Sequence, residues 1–298
     1  MSSSGYVVLP ERGVIALQGA DSVAFLQGLI SQDLNQITAD RAGYGALLTP
    51  QGKFLFDFMI LRAGDALLLD VERARLEDLL RRLTMYRLRS KVELADASAR
   101  YAIAAVVGDE VAARLGLEQR PGACRPLGEG FALVDPRLTR LGVRVLLPPA
   151  ALGPTLEGLG FAALAPAAYE RLRITAGVPD GSRDLVTERS TLLESGFEEL
   201  NGVDFAKGCF VGQELTARMK YRGLVRKRLL PVMLEGPRPD PGAVISHDGR
   251  EIGEMRSSVE GHGLALLRLD RLAEVGDGTA LTAGATRVVP VKPDWVNF

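Results

Sequence analysis

YGALLTPQGKFLFDFMILR, residues 44–62, alternates apolar and polar side chains well enough for two β-strands. Residues 49–52 separate the two runs, and there Pro50 fixes φ while Gly52 tolerates a positive φ, as a tight turn requires. The segment therefore predicts a β-hairpin.

The segments that follow change their period from two to 3.6 residues. ALLLDV, residues 66–71, predicts a further strand. In RARLEDLLRRL, residues 73–83, the leucines at 76, 79, 80 and 83 recur at the spacing of one helix face. A hairpin followed by a strand and an amphipathic helix indicates a mixed α+β fold.

The remaining patterns extend this assignment in both directions. VVL and VIAL, on either side of residues 10–13, predict a first hairpin, with a short helix starting after Asp21. Further strands are expected at 92–94, 101–107, 131–134 and 143–147, with helices at 111–115 and 167–176. LLTPQGKF and GDGTA are predicted as hairpin turns, and neither matches a phosphate-binding loop. Beyond a boundary near Arg226 the short apolar runs are typical of a small barrel or sandwich.

Composition limits the functional classes. With 298 residues, 47% of them hydrophobic and 24% charged, the chain is expected to form two or three globular domains. A net charge of -1 argues against a dedicated nucleic-acid binder. Its two histidines lack metal-binding spacing, which argues against a histidine-based metal enzyme or a Ser-His-Asp hydrolase.

Cysteine content and the first residues predict the compartment. Two cysteines cannot build a disulfide framework, and MSSSGYVVLP resembles neither a secretory signal nor an arginine-rich leader. No apolar run reaches the ~20 residues that a membrane-spanning helix needs. We therefore expect a cytosolic protein without a membrane span.

The most unusual segment is NGVDFAKGCFVGQELTARMKYRG, residues 201–223. Cys209 lies between Gly208 and Phe210, with Lys207 two residues earlier, so a cation is close to the thiol in sequence. A helix starting near residues 212–214 would add its positive N-terminal dipole, which also favours thiolate. The alternative is a buried apolar cysteine in a tight turn, and that is the interpretation favoured for Cys124.

Two basic stretches contain no acidic residue. The earlier one comprises Arg81, Arg82, Arg87, Arg89 and Lys91. The later one comprises Arg218, Lys220, Arg222, Arg226, Lys227 and Arg228. Either could receive phosphates, glutamate carboxylates or RNA, and either could be a solvated surface.

A set of acidic and amide side chains precedes the cysteine segment. Its members are Asp184, Glu188, Glu194, Glu198, Glu199, Asn201 and Asp204. Carboxylates and amides suit a donor-rich, pterin-like ring, although helix capping and solvation explain them equally well.

KGCFVGQE, residues 207–214, followed by Arg218, YRG at 221–223 and Lys227-Arg228, resembles the motif of the YgfZ-type folate-binding proteins. That family includes related mitochondrial iron–sulfur assembly factors and belongs to the aminomethyltransferase (glycine-cleavage T-protein) superfamily. Two further segments resemble the N-terminal folate-binding domain of the superfamily: GADSVAFLQGLISQDL, residues 19–34, and YGALLTPQGKFLFDFMI, residues 44–60. YERLRITAGVPDG, residues 169–181, resembles the segment that returns to that domain. Phe210 stands where the motif often has Tyr.

The resemblance implies an architecture. It predicts interleaved α+β folate-binding domains, one formed by residues 1–50 and 145–226 and a second by 51–144. A small β-barrel domain is expected at 227–298.

The resemblance also implies a function and a site. It predicts a tetrahydrofolate-binding accessory protein for assembly or repair of iron–sulfur clusters, notably 4Fe-4S, with client or carrier proteins as partners and a link to tRNA modification. Cys209 and Lys207 are the implied reactive residues, with Cys209 as a transient ligand of a shared cluster. The implied folate-binding residues are Glu194, Gln213, Glu214, Arg218 and Arg222.

Two other functions compete with this one. A folate-dependent aminomethyl or one-carbon transferase is the main alternative, but the catalytic aspartate of the aminomethyltransferases has no firm counterpart in the sequence. A non-catalytic, accessory role is therefore favoured. An RNA-binding module on the later basic stretch is disfavoured by the neutral net charge and the scarcity of interleaved aromatic residues.

Overall fold

The computed structural model describes residues 4–276 and 281–297. Within them the chain forms two compact units. The first unit contains the chain up to Leu48, Leu55–Tyr169 and Asn201–Val211, and the second contains Thr49–Phe54, Glu170–Leu200 and the chain from Gly212 onward. Because each unit is assembled from separate segments, neither is a simple half of the sequence.

The first unit is built from two sheets with short helices. Its strands are β1 (Gly5–Val8), β2 (Arg12–Gln18), β3 (Gly43–Leu48), β4 (Phe54–Ala63), β5 (Ala66–Glu72), β6 (Glu93–Asp96), β7 (Ala102–Val107), β8 (Cys124–Leu127), β9 (Gly130–Val134), β10 (Val143–Leu147) and β11 (Ala162–Ala163). Its helices are α1 (Ser22–Gln27), α2 (Leu76–Arg87), α3 (Val111–Arg114), α4 (Pro149–Gly158) and the start of α5 (Pro166–Thr175). One sheet has the order β3-β4-β5-β2-β6, and the other has the order β11-β1-β7-β10-β9-β8.

The second unit contains a closed barrel. Its elements are α6 (Gly181–Asp184), α7 (Gln213–Tyr221), β12 (Lys227–Glu235), β13 (Val244–His247), β14 (Arg250–Val259), β15 (His262–Arg268), α8 (Leu269–Val275), β16 (Leu281–Ala283) and β17 (Thr286–Pro290). The barrel closes in the order β12-β15-β14-β13-β16-β17 around an apolar core that includes Leu230, Ile245, Met255 and Val288. None of the helices in the described part of the chain is long and apolar enough to cross a membrane.

The structure confirms the predicted hairpin of residues 44–62 and the predicted amphipathic helix that follows it. β3 and β4 are neighbours in their sheet, and Gly52 in the turn between them has φ 79. Helix α2 buries Leu76, Leu79 and Leu83 in the core under the five-stranded sheet, as its leucine spacing predicts. The predicted turn at GDGTA, residues 276–280, falls largely outside the described residues, which end at Gly276 and resume at Leu281.

The predicted first hairpin is wrong. β1 pairs with β7 and β11 in the six-stranded sheet, whereas β2 pairs with β5 and β6 in the other sheet. The short connection between them carries the chain from one sheet to the other. A turn between two apolar runs looks the same in either case, because the distinguishing partners are remote in sequence.

The predicted division into three domains stays a prediction. Compactness separates two units, and the predicted second domain lies within the first unit from Leu55 onward.

A layer of buried charges connects the two sheets of the first unit. Asp70 on β5 is fully buried and accepts a hydrogen bond of 2.6 Å from Nε of Arg12 on β2. Nη1 of Arg144, on β10 of the other sheet, lies 3.6 Å from the second oxygen of Asp70. Arg144 also donates to the Tyr169 hydroxyl at 3.1 Å. Buried charges are tolerated only when they are paired in this way.

The same layer continues through a second set of groups. Arg137 donates to Asp135 at 2.7 Å and to the Tyr169 hydroxyl at 3.1 Å. Its guanidinium lies 5.5 Å from the ring centre of Tyr44, whose hydroxyl donates to Asp57 at 2.7 Å. Burial, together with the neighbouring Asp57 carboxylate, raises the pKa of Tyr44 well above its ordinary value, so the phenol keeps the proton that it donates.

Replacing Asp70 with asparagine keeps the shape of the side chain and removes the charge that Arg12 and Arg144 share. Because breaking one side of a buried ion pair costs about 3–5 kcal/mol, we expect Asp70→Asn to lower the free energy of unfolding by that amount in a urea titration. Asp78→Asn is the control, because the ion pair of Asp78 with Arg81 is exposed and is worth at most about 1 kcal/mol. Equal, small losses in both variants would contradict this role for Asp70.

Candidate functional site

Residues 201–211, which we call the Cys209 loop, dock against the end of α1 and the turn that follows it. The hydroxyl of Ser31 donates to the carbonyl of Gly202 at 2.6 Å, and the amide of Asp204 donates to the carbonyl of Ser31 at 2.9 Å. The amide of Val211 donates to the carbonyl of Gly28 at 3.1 Å. These hydrogen bonds fix both ends of the loop.

Lys207 holds the middle of the loop. Its ammonium group donates to the carbonyls of Gln27 at 2.6 Å and Ile30 at 2.5 Å, where α1 has just ended. The last carbonyls of a helix have no partner within the helix and carry the negative end of its dipole, so a cation is favourable there. The ammonium also lies 5.0 Å from the ring centre of the buried Phe210.

Partial burial gives Lys207 an unusual proton affinity. Desolvation lowers the pKa of Lys207 to about 8, although the carboxylates of Asp33 and Asp204 oppose this shift. Burial raises the pKa of Asp33, but hydrogen bonds from Asn35 and Gln27 and the charge of Lys207 outweigh it and hold that pKa below the ordinary range. The ammonium is therefore held by two carbonyls and flanked by two carboxylates.

The structure separates the two cysteines by environment. Cys209 is exposed and follows Gly208, which has φ 90, a value that glycine adopts without strain. Cys124, on β8, is buried. Burial, assisted by the charge of Asp40, raises the pKa of the Cys124 thiol to about 12. The alternative of a buried apolar cysteine thus describes Cys124 and not Cys209.

The predicted folate-binding residues lie in the second unit. Glu194 is part of a 3-10 helix, Leu193–Ser195, that contacts α7, and it accepts a hydrogen bond from the Thr191 hydroxyl at 2.7 Å. Gln213 and Glu214 form the start of α7, which confirms the predicted helix there. Arg218 follows one turn later, 3.9 Å from the largely exposed Glu214, and Arg222 ends the helix.

Cys209 and Lys207 belong to the first unit, so the motif 207–214 crosses the boundary between the two units. Whether the dipole of α7 acts on the thiol of Cys209 stays a prediction.

The later basic stretch is less available than its sequence indicates. Arg228 is buried, bonds the carboxylate of Glu199 and donates to the carbonyl of Leu193 at 2.7 Å. Lys220 pairs with Glu198. The stretch exposes its other four members, which are Arg218, Arg222, Arg226 and Lys227.

Several of the acidic candidates have structural partners. Asp184 is buried, accepts a hydrogen bond of 2.7 Å from Arg173 and also bonds Ser257. Arg173 is itself buried and also pairs with Glu170. No motif in the sequence indicates this ion pair. Glu198 pairs with Lys220, and Glu199 pairs with Arg228. A pterin-like role for Asp184, Glu198 and Glu199 is therefore not supported.

The structure resembles a known class of protein as a whole. It superimposes on the glycine cleavage system aminomethyltransferase T of Bartonella henselae with a TM-score of 0.79, at 19% identity, over 99% of this chain and 86% of that one. Residues 226–298 match the family described as the CAF17 C-terminal β-barrel domain. The chain thus has the aminomethyltransferase-type fold with a C-terminal β-barrel, as the sequence predicts.

Sequence relatives define the family within this class. The chain is 33% identical to the mitochondrial iron–sulfur cluster assembly factor IBA57 of Mus musculus and 32% identical to that of Homo sapiens. Each match covers 96% of this chain and 84% of the relative. A homologue from Mycosarcoma maydis is 31% identical over 91% of this chain and 75% of its own length. The chain belongs to the family of the IBA57 iron–sulfur cluster assembly factors.

These comparisons confirm the broad resemblance and correct two details. They support the IBA57 branch and do not support membership of the YgfZ type in particular. The expectation of a cytosolic protein is wrong by the same comparisons, because the relatives are named as mitochondrial proteins. The link to tRNA modification stays a prediction.

The two thiols should differ sharply in reactivity. Because thiolate is the nucleophile and a pKa of about 12 leaves roughly one Cys124 thiol in ten thousand ionised at pH 8, we expect iodoacetamide to modify the native protein once, at Cys209. Mass spectrometry of the intact protein and its peptides measures this, and Cys124 should react only after unfolding in urea. Cys209→Ser is the control and should take up no label while folded. Comparable labelling of Cys124 in the native protein would contradict the assignment.

Proposed function

We propose that this protein acts in the assembly of iron–sulfur clusters and presents Cys209 as a ligand that is shared with a partner protein. The observation that carries the proposal is an exposed cysteine on a loop anchored at both ends and in the middle. A thiol that only filled space would be buried, as Cys124 is. The IBA57 relatives, which are named as iron–sulfur cluster assembly factors, support the same function.

The chemistry of the site explains why a partner is needed. Iron–sulfur clusters are usually held by four cysteine thiolates, and this chain has two cysteines, one of them buried with a pKa of about 12. A cluster on Cys209 would therefore take its other ligands from a carrier or client protein. We infer that Lys207 positions the loop and is not a reacting group, since its ammonium donates to two backbone carbonyls.

We extend the proposal to tetrahydrofolate, with Glu194, Gln213, Glu214, Arg218 and Arg222 as the binding residues. Their chemistry fits the ligand: a carboxylate and an amide suit the donor-rich ring, and exposed guanidinium groups suit the carboxylates of a glutamate tail. Among the described residues, one oxygen of Glu194 accepts from Thr191 and the other has no hydrogen-bond partner. When bound, tetrahydrofolate supplies a carrier for one-carbon units.

Aminomethyl transfer stays a prediction. The aminomethyltransferase T match supports the fold alone at 19% identity.

The role of Cys209 is tested in cells that lack the native protein. Wild type should restore the activity of a 4Fe-4S client enzyme, whereas Cys209→Ser should leave it at least about tenfold lower, because the hydroxyl cannot replace a thiolate ligand. Cys124→Ala is the matched control, because it removes the other thiol and should restore activity. If Cys209→Ser restored the client as well as wild type does, at equal protein level, the proposed mechanism would be wrong.

Folate binding is tested separately by anaerobic thermal unfolding with tetrahydrofolate. A ligand that binds only the native state stabilises it by about 2.7 kcal/mol at one hundred times its Kd, so the midpoint should rise with concentration. Arg218→Ala and Arg222→Ala should reduce the rise, and Arg226→Ala, an exposed cation of the same stretch outside the predicted set, should not. Absence of a shift in wild type would remove the folate part of the proposal and leave the role of Cys209 standing.

A further inference from the structure

The C-terminal end of α2 exposes apolar side chains that its core does not use. Leu88 is 88% exposed, Met85 72% and Tyr86 41%. The buried face of the same helix is formed by Leu76, Leu79 and Leu83. The three exposed side chains are therefore not part of the apolar face that packs the helix against the sheet.

Leu88 is also held in an unfavourable backbone conformation. It has φ 43 and ψ -108, in the region that favours glycine and that costs free energy for a residue with a side chain. The turn is fixed by the amide of Ser90, which donates to Arg87 at 2.8 Å, and the amide of Lys91, which donates to the Asp21 carboxylate at 2.7 Å. An exposed leucine contributes little to folding in return for this strain.

The chain around these side chains is basic, and the neighbouring carboxylate of Asp21 accepts a hydrogen bond from the backbone amide of Lys91. No acidic residue occurs from position 79 to position 92. Arg87, Arg89 and Lys91 are exposed, and their side chains form no ion pair with any residue that the structure describes. We call this surface the α2 patch, and its members are Met85, Tyr86, Arg87, Leu88, Arg89 and Lys91.

The α2 patch and the Cys209 loop are attached to opposite ends of one short helix. Asp21, which binds the backbone of Lys91, immediately precedes α1. Lys207 binds the carbonyl of Gln27, the last residue of α1, and that of Ile30 in the turn that follows. A helix of six residues rises about 9 Å. One partner of ordinary size could therefore contact both.

We propose that the α2 patch docks the carrier protein whose cluster Cys209 shares, through an acidic surface on the carrier that surrounds an apolar contact. The inference rests on the proposed function. An apolar centre with a charged rim is the usual composition of a protein interface, and complementary charge directs the encounter. Because a cluster on Cys209 needs further thiolate ligands from a protein, the occupant of the neighbouring patch is that protein and not a bilayer.

The test measures the Kd between this protein and the cluster-loaded iron–sulfur carrier of the same organism, under anaerobic conditions and at several salt concentrations. Arg87→Glu/Arg89→Glu should raise the Kd at least tenfold at low salt and flatten its salt dependence. Leu88→Gly should raise it about fivefold while the thermal midpoint stays equal or rises, because glycine tolerates the backbone conformation. That combination separates a docking role from a structural one.

Arg73→Glu is the matched control. Arg73 is an exposed arginine about 20 Å along the helix from Arg87, at 1.5 Å per residue. This separation exceeds the Debye length of about 8 Å at physiological salt, so at that salt concentration the Kd of the Arg73→Glu variant should stay within twofold of wild type.

Four results would overturn the inference. They are a Kd unchanged by both patch variants, no binding of the carrier by wild type, patch-dependent binding to vesicles containing phosphatidylserine instead of the carrier, or patch-dependent self-association in sedimentation. Full complementation by Cys209→Ser would instead overturn the proposed function. The two failures are therefore distinguishable.

Discussion

Asp70 is the charge on which the architecture of the first unit depends. Two arginines converge on this fully buried carboxylate, one from a neighbouring strand and one from the other sheet. Apolar packing alone tolerates sliding, whereas a buried ion pair is favourable only when both partners are in place, because desolvating each ion costs several kcal/mol. The layer therefore fixes β2 against β10, and α1, which follows β2, packs Leu26 into the same core as Ile15 and Leu17 of that strand.

Helix α1 then serves as the frame of the candidate site. Its last carbonyls need donors, and the chain supplies one from Lys207, 180 residues later. Because Lys207 is only two residues from Cys209, the contact positions Cys209 relative to the end of α1. Because the α2 patch is attached to the start of the same helix through Asp21, the cysteine and the patch share one rigid reference.

The sequence predicts the elements whose packing partners are close along the chain and the residues that belong to a recognisable motif. The hairpin of residues 44–62, the leucine spacing of α2 and the short strands of the barrel all follow from local periodicity. The pairing of β1 and β2 does not, because their partner strands are remote in sequence, as β11 is for β1. The anchor of Lys207 was also hidden, because backbone carbonyls leave no mark in a sequence. The motif therefore indicates Cys209 as a candidate residue and does not indicate which groups hold its loop.

The two basic stretches show why exposure has to be added to charge. The later stretch contains six cations, yet Arg228 and Lys220 are taken by Glu199 and Glu198, which precede them by about twenty to thirty residues. The earlier stretch also loses a free cation, since Arg81 pairs with Asp78. Counting charges in the sequence therefore overstates the free positive charge of both stretches. In the earlier stretch, the side chains of Arg87, Arg89 and Lys91 are exposed to solvent. They lie beside the exposed apolar side chains of the α2 patch, which take no part in the core. Unpaired charge beside unpaired apolar surface, held by a strained turn, is difficult to explain by folding and is what a partner would recognise.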